Sequence, residues 1–142
     1  MNSNHIIANL PYGKPFLFVD EIIAINENGV HGACTYSDNE AFYKGHFKNN
    51  PVTPGAILTE TMAQIGLVCL GIYLLNDNFN THTKIAFTSS EIDYLKPVFP
   101  NERVEVVSEK VYFRFGKLKC NVKMLNSMGE TVCSGTISGM IV

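Results

Sequence analysis

Hydrophobic positions along the chain fall into short β-type runs, one long unbroken apolar stretch, and a closing set of alternating segments. Residues 5–10 read as a helical turn stopped by Pro11. Residues 16–19 and 22–25 are rich in aromatic and β-branched side chains and read as strand. The run Asn26-Glu27-Asn28-Gly29 is a turn signal, because Asn and Gly tolerate positive φ. With residues 30–36 returning as strand, the first two strands are expected to form a hairpin. Residues 37–50 read as a loop, polar at its ends and aromatic in its middle. From Pro54 to Leu75 the chain is apolar at nearly every position, which predicts a helix buried on all sides. Proline suits its start, where the missing N–H has no partner to lose. Residues 76–83 are a polar connection. Strands follow at 84–90 and 103–113, separated by a segment containing Pro97 and Pro100. Over 117–124 the pattern alternates cleanly, Leu118, Cys120, Val122 and Met124 on one face, Lys117, Lys119, Asn121 and Lys123 on the other. A turn at 126–129 leads to a closing strand, 131–142. The sum is an α+β domain whose antiparallel sheet wraps one helix, with residues 1–142 forming a single domain.

Composition narrows this picture only a little. The chain has 142 residues, 46% of them hydrophobic and 17% charged, enough for a substantial core. A formal charge of −2 gives no electrostatic footprint for nucleic acid. No basic stretch followed by an apolar run marks the first residues, so no secretory signal is expected and a cytoplasmic location is. Cys34, Cys69, Cys120 and Cys133 lack metal-type spacing and fall in predicted helix or strand, which favours reduced, buried thiols. The apolar stretch is long enough to span a membrane, yet Glu60 and Gln64 lie inside it. We therefore expect a buried helix and no membrane span.

Candidate chemistry is sparse. There is no glycine-rich phosphate loop, no G-x-S-x-G and no H-E-x-x-H. His31 on a predicted strand and His82 in a polar loop read as structural and exposed, respectively. What remains is His46, in a Gly/Pro/Asn loop, and Glu60, inside the apolar helix. Histidine suits proton abstraction near neutral pH, and a desolvated glutamate is biased towards its acid form. The helix start at Gly55 offers unpaired N–H groups to a developing oxyanion. On chemistry alone, His46 as a turn residue and Glu60 as a lysine partner remain equally open.

Gly45-His46-Phe47, Pro51-Val52, Pro54-Gly55, Glu60 and Ala63-Gln64 resemble the active-site signature of the 3-hydroxyacyl-[acyl-carrier-protein] dehydratases, FabZ/FabA-like enzymes of the hotdog fold. The resemblance extends to Pro15-Phe16-Leu17 with Val19-Asp20, and to Tyr94 with Lys96-Pro97-Val98 and Pro100, nearly the whole chain. It implies a homodimer with one continuous sheet and active sites shared across the interface, with a trimer of dimers as a higher assembly. It also implies that His46 removes the α-proton of the 3-hydroxyacyl thioester. Glu60 of the partner protonates the departing hydroxyl, and the Gly55 N–H holds the thioester oxygen. Neither metal nor organic cofactor is called for. Phe16, Val52, Pro54 and Phe87 are the implied wall of an acyl tunnel.

An acidic acyl carrier protein would present the substrate, and Lys14, Lys44, Lys48 and Lys96 are the first candidates to meet it. Departures from the family pattern cluster near the histidine: Lys48, Asn49-Asn50 and Thr53 make the mouth more polar, while Tyr12-Gly13-Lys14 and Ser90 replace other family residues. Two other activities fit the fold, an acyl thioesterase and a non-catalytic acyl-thioester-binding protein.

Overall fold

The computed structural model describes residues 2–142. A short helix, α1 (Ser3–Ala8), is capped by the Asn2 side chain, which accepts from the His5 N–H. The expected hairpin follows as β1 (Glu21–Asn26) and β2 (Gly29–Thr35), turning at Glu27-Asn28. A 3₁₀ turn, Ala41–Lys44, lies within the loop before the long helix α2 (Gly55–Asn78). Four strands complete the chain: β3 (Ile85–Tyr94), β4 (Arg103–Arg114), β5 (Lys117–Leu125) and β6 (Thr131–Ile141). Among the described residues the strands form one antiparallel sheet of six, in the order β1-β2-β4-β5-β6-β3.

The sheet curls round α2, and this is the hotdog arrangement. Met62, Ile65, Leu67, Cys69, Leu70 and Ile72 are fully buried, meeting Val104, Val106, Leu118, Cys120, Val122, Met124 and Ile137 from the strands. By length and composition alone the helix would cross a bilayer, but 72% of its most apolar stretch is covered by the rest of the protein. Midway, at Gln64–Cys69, the helix widens to π geometry. There the buried Ser108 hydroxyl donates to the Gly66 carbonyl at 2.8 Å. A Cβ on Gly66 would come within 3.0 Å of Ser108 and Val122, so glycine lets the helix lie this close to the sheet. The alternation read over β5 matches its buried and open faces.

Three expectations need correction. Residues 16–19 are not a strand: the Phe18 N–H donates to Gln64 Oε1 at 2.8 Å, and the Phe16 carbonyl accepts from Gln64 Nε2 at 2.9 Å. Their backbone groups are satisfied by a helix side chain instead of a neighbouring strand. Strand β3 runs on to Tyr94, because Glu91, Ile92, Asp93 and Tyr94 keep register with Thr136, Gly135, Ser134 and Cys133. Finally, Pro54 caps the helix and Gly55 is its first residue.

The four cysteines are buried and unbridged, and burial pushes the Cys69 and Cys133 thiols up to about 12. His31 is a sheet-surface residue, its Nε2 2.6 Å from Glu105 Oε1, and His82 is exposed. Strand β3 is the sheet edge beside β6, open along nearly its whole length. Its attachment relies on Gly135, where an added Cβ would sit 1.8 Å from the Glu91 carbonyl oxygen. Gly135→Ala must push β3 off β6 and is expected to destabilise the fold by at least about 2 kcal/mol, as overpacking does. The midpoint of urea unfolding measures it.

Candidate active site

His46 is fixed by its own loop. Its N–H donates to the Phe42 carbonyl at 3.1 Å, closing the 3₁₀ turn, and its carbonyl accepts from Val52 N–H at 2.9 Å. The loop is tied again where Thr53 N–H donates to Val98 at 2.8 Å and where the Tyr43 and Thr53 hydroxyls meet at 2.5 Å. The imidazole Nδ1 lies 2.9 Å from the Val52 carbonyl oxygen. A carbonyl only accepts, so Nδ1 carries the proton and Nε2 keeps a free lone pair. The ring is half-buried and stacks on Phe47, with centroids 4.4 Å apart.

Beside it the helix begins. The Pro54 carbonyl takes the N–H groups of Ile57 and Leu58, and among the described residues the Gly55 N–H has no backbone partner. That is the expected state of a first helical amide, and it sits at the positive end of the helix dipole. His46, Val52 and Gly55 line one groove of about 360 Å³, together with Leu58, Tyr94 and Lys96. The histidine and the residue that carries the helix-start amide thus border the same space.

Glu60 lies elsewhere. It is half-buried on α2, and its Oε2 accepts from Gln64 Nε2 at 3.0 Å. Burial raises its carboxyl above the ordinary glutamate range, opposed by the Gln64 hydrogen bond. The Tyr12 phenol is pushed up to about 12, first by burial and then by the Glu60 carboxylate, which places Tyr12 in the same neighbourhood. Gln64 is fully buried with its orientation fixed: Oε1 is held by Phe18 N–H, so Nε2 must face Phe16 and Glu60. Its placement was missed as site chemistry, although a glutamine one helical turn beyond a glutamate, in an otherwise apolar helix, is a readable signal.

Of the tunnel candidates, Val52 lines the His46 groove and Phe16, Pro54 and Phe87 do not. Phe16, 47% exposed, belongs with Gln64 and Glu60. Phe87, 40% exposed, stands on the open edge strand. Pro54 acts through its carbonyl at the helix start. Within one chain, then, His46 and Gly55 line one groove, while Glu60 is paired with Gln64 and is not part of that lining.

A carboxyl raised in the folded state stabilises the fold less once it ionises. That contribution is fully present below the ordinary carboxyl range and is lost as pH rises through the raised value. Glu60→Gln, which does not titrate, is expected to match the native protein near about pH 3 and to melt at a higher temperature by about pH 7. Thermal melts at both pH values check the sign.

The FabA-like domain model matches residues 10–135. The chain is 34% identical over 139 residues to the 3-hydroxyacyl-[acyl-carrier-protein] dehydratase FabZ of Caldicellulosiruptor bescii, covering 96% of this chain and 95% of that one. It is 33% identical over 141 residues to the FabZ of Clostridium perfringens, covering 96% of each. Among solved structures, the dehydratase heterocomplex ApeI:P from Xenorhabdus doucetiae superposes with a TM-score of 0.78 at 12% identity, over 99% of this chain and 91% of that one. A hypothetical thioesterase with coenzyme A from Streptococcus pneumoniae gives a TM-score of 0.65 at 17% identity, over 86% and 84%. At such identities the structures speak for the fold alone.

Proposed function

The chain belongs to the FabA-like family, and we propose how its residues divide the reaction it carries out, dehydration of 3-hydroxyacyl-[acyl-carrier-protein] to the trans-2-enoyl thioester in fatty-acid biosynthesis. One observation carries the assignment of the base: Val52 holds His46 Nδ1–H, leaving Nε2 of a residue that lines the same groove as Gly55 unprotonated in the neutral ring. Nε2 takes the proton from C2 of the acyl chain, and the C–H electrons move towards the thioester carbonyl. The Gly55 N–H receives the growing charge on that oxygen. Electrons then return to form the C2–C3 double bond as the C3–O bond breaks, and the hydroxyl leaves as water with a proton from Glu60. A raised carboxyl is suited to that donation, and Gln64 holds the oxygen that does not react.

His46 and Glu60 occupy separate half-sites of one chain, so the reading requires a second copy. The open edge of β3 supplies the means. Antiparallel pairing of two β3 strands about a two-fold axis would extend the sheet across both subunits and bring each half-site towards the other's complement. We take the unit as a homodimer formed from one hotdog domain over residues 1–142, located in the cytoplasm. Trimerisation of such dimers is compatible with it.

The same pairing bears on the carrier protein. Five of the eleven Lys and Arg residues (Lys110, Arg114, Lys117, Lys119 and Lys123) lie between 110 and 123, on the part of the β4–β5 hairpin nearer its tip, and no Asp or Glu occurs from 110 to 129. The tip is bound to the end of β6, where Ile141 N–H donates to the Gly116 carbonyl at 2.8 Å, and Ile141 in turn pairs with Ile85 at the start of β3. In an antiparallel β3 pair, the start of one strand faces the Tyr94 end of the other. The partner's basic hairpin would then approach the His46 groove. This hairpin suits an acidic carrier better than Lys96, whose Nζ is engaged by Glu130 at 2.9 Å.

Three outcomes are expected. His46→Ala should lose about 10²-fold or more in kcat for water elimination, followed by absorbance of the enoyl thioester, with no gain in thiol release. Co-expressed His46→Ala and Glu60→Gln chains should recover about a quarter of native activity, since half the dimers are mixed and each holds one intact site. No recovery would place both groups in a single chain. Separately, Lys117→Glu with Lys119→Glu should raise KM for carrier-bound substrate several-fold while leaving KM for a small soluble thioester within about twofold.

A further inference from the structure

Tyr94 forms a wall of the His46 groove with no part in the proton transfers. The backbone behind it is fixed, since the N–H groups of Leu95 and Lys96 both donate to the Val132 carbonyl, at 2.7 and 3.1 Å. Its ring, 50% exposed, lies against the helix start: a Cβ added to Gly55 would be 3.1 Å from Cε1 and 3.2 Å from Cζ. A half-open aromatic side chain at a strand end has rotameric freedom unless its far end is held. Here it is held, because the phenol hydroxyl is hydrogen-bonded to the Thr59 hydroxyl. Thr59 stands four residues beyond Gly55 on the same helix face, one turn further along.

We infer that Thr59 is a positioning residue whose hydroxyl latches Tyr94 against Gly55, and that the latched ring sets the width of the acyl groove beside His46. The inference rests on the reading that this groove takes the acyl thioester, and it assigns a specificity role to two residues outside the chemistry. With the ring pinned, the groove has one width, which admits a straight 3-hydroxyacyl chain and penalises one branched close to the carbonyl. Released, the ring turns about its χ angles and the groove yields to the bulkier chain. Discrimination falls, with the change carried by KM, because the latch touches neither the proton on C2 nor the departing hydroxyl.

The test compares straight and 4-methyl-branched 3-hydroxyacyl chains of equal length on the carrier protein. It uses the full-length protein and the variants Thr59→Val, Tyr94→Phe, the double variant and Thr59→Ser. Loss of one hydroxyl pair should lower the branched-to-straight KM ratio by on the order of fivefold in Thr59→Val and in Tyr94→Phe. The double variant should go no further, and Thr59→Ser should keep the native ratio. An unchanged ratio in both single variants overturns the latch, as do multiplying effects in the double variant or a Thr59→Ser that behaves like valine. If Thr59→Val does not fold, Tyr94→Phe keeps the ring and decides the question alone. The same ratio is also read as dissociation constants of the corresponding enoyl thioesters. A protein that binds with this selectivity yet eliminates no water refutes the dehydratase reading and leaves the latch standing.

Discussion

A helix apolar on every face must be covered on every face, and that constraint shapes this protein. The sheet has to curl because no flat sheet reaches more than one side of α2. The polar side chains midway along that helix, Glu60 and Gln64, then become consequential. Gln64 is buried completely, so each of its hydrogen-bonding groups needs a partner, and it finds them in the backbone of Phe16 and Phe18 and in Glu60. One glutamine thereby holds the entering chain against the helix and sets the direction of the Glu60 carboxylate.

The chemistry is distributed by the same geometry. The start of a helix is where amides lack partners, and the loop before it carries His46. Glu60 follows more than a turn later, on a different aspect of the helix, and its burial is what favours its proton. His46 lines a groove from which Glu60 is absent, so the proposed base and acid do not share that lining within one chain. An uncovered edge strand between them gives the arrangement its logic. In the proposed dimer a second copy would supply both a strand to cover that edge and the complementary catalytic group.

Much of this was legible in residue patterns, for identifiable reasons. The β1–β2 hairpin announced itself through a turn whose φ angles only a few residues accept, and β5 through strict alternation against a core. The long helix needed only its apolar run. Residues 16–19 were misread as strand because their hydrogen-bonding partner is a single side chain on a remote helix, which no local window contains. The extent of β3 was understated for a similar reason: as an edge strand it buries little, so polar Glu91 and Asp93 are tolerated where a periodicity reading expects a loop. The signature residues were visible, but their sorting was not. Nothing in the spacing of His46, Phe16 and Glu60 says that the first lines a groove while the other two meet at the Gln64 side chain.

The order of the strands has a consequence for how the protein is made. The helix that passes for a membrane span emerges from synthesis well before β4, β5 and β6, which cover it, and β3 waits for β6 before it has any neighbour in the sheet. A nascent chain of this kind carries a bare greasy rod and an unpaired strand through most of its translation. Its hazards, mis-insertion and clumping, belong to that interval more than to the finished fold. Substitutions that merely slow closure of β6, without weakening the native state, should show themselves as poor yield of soluble protein at normal specific activity.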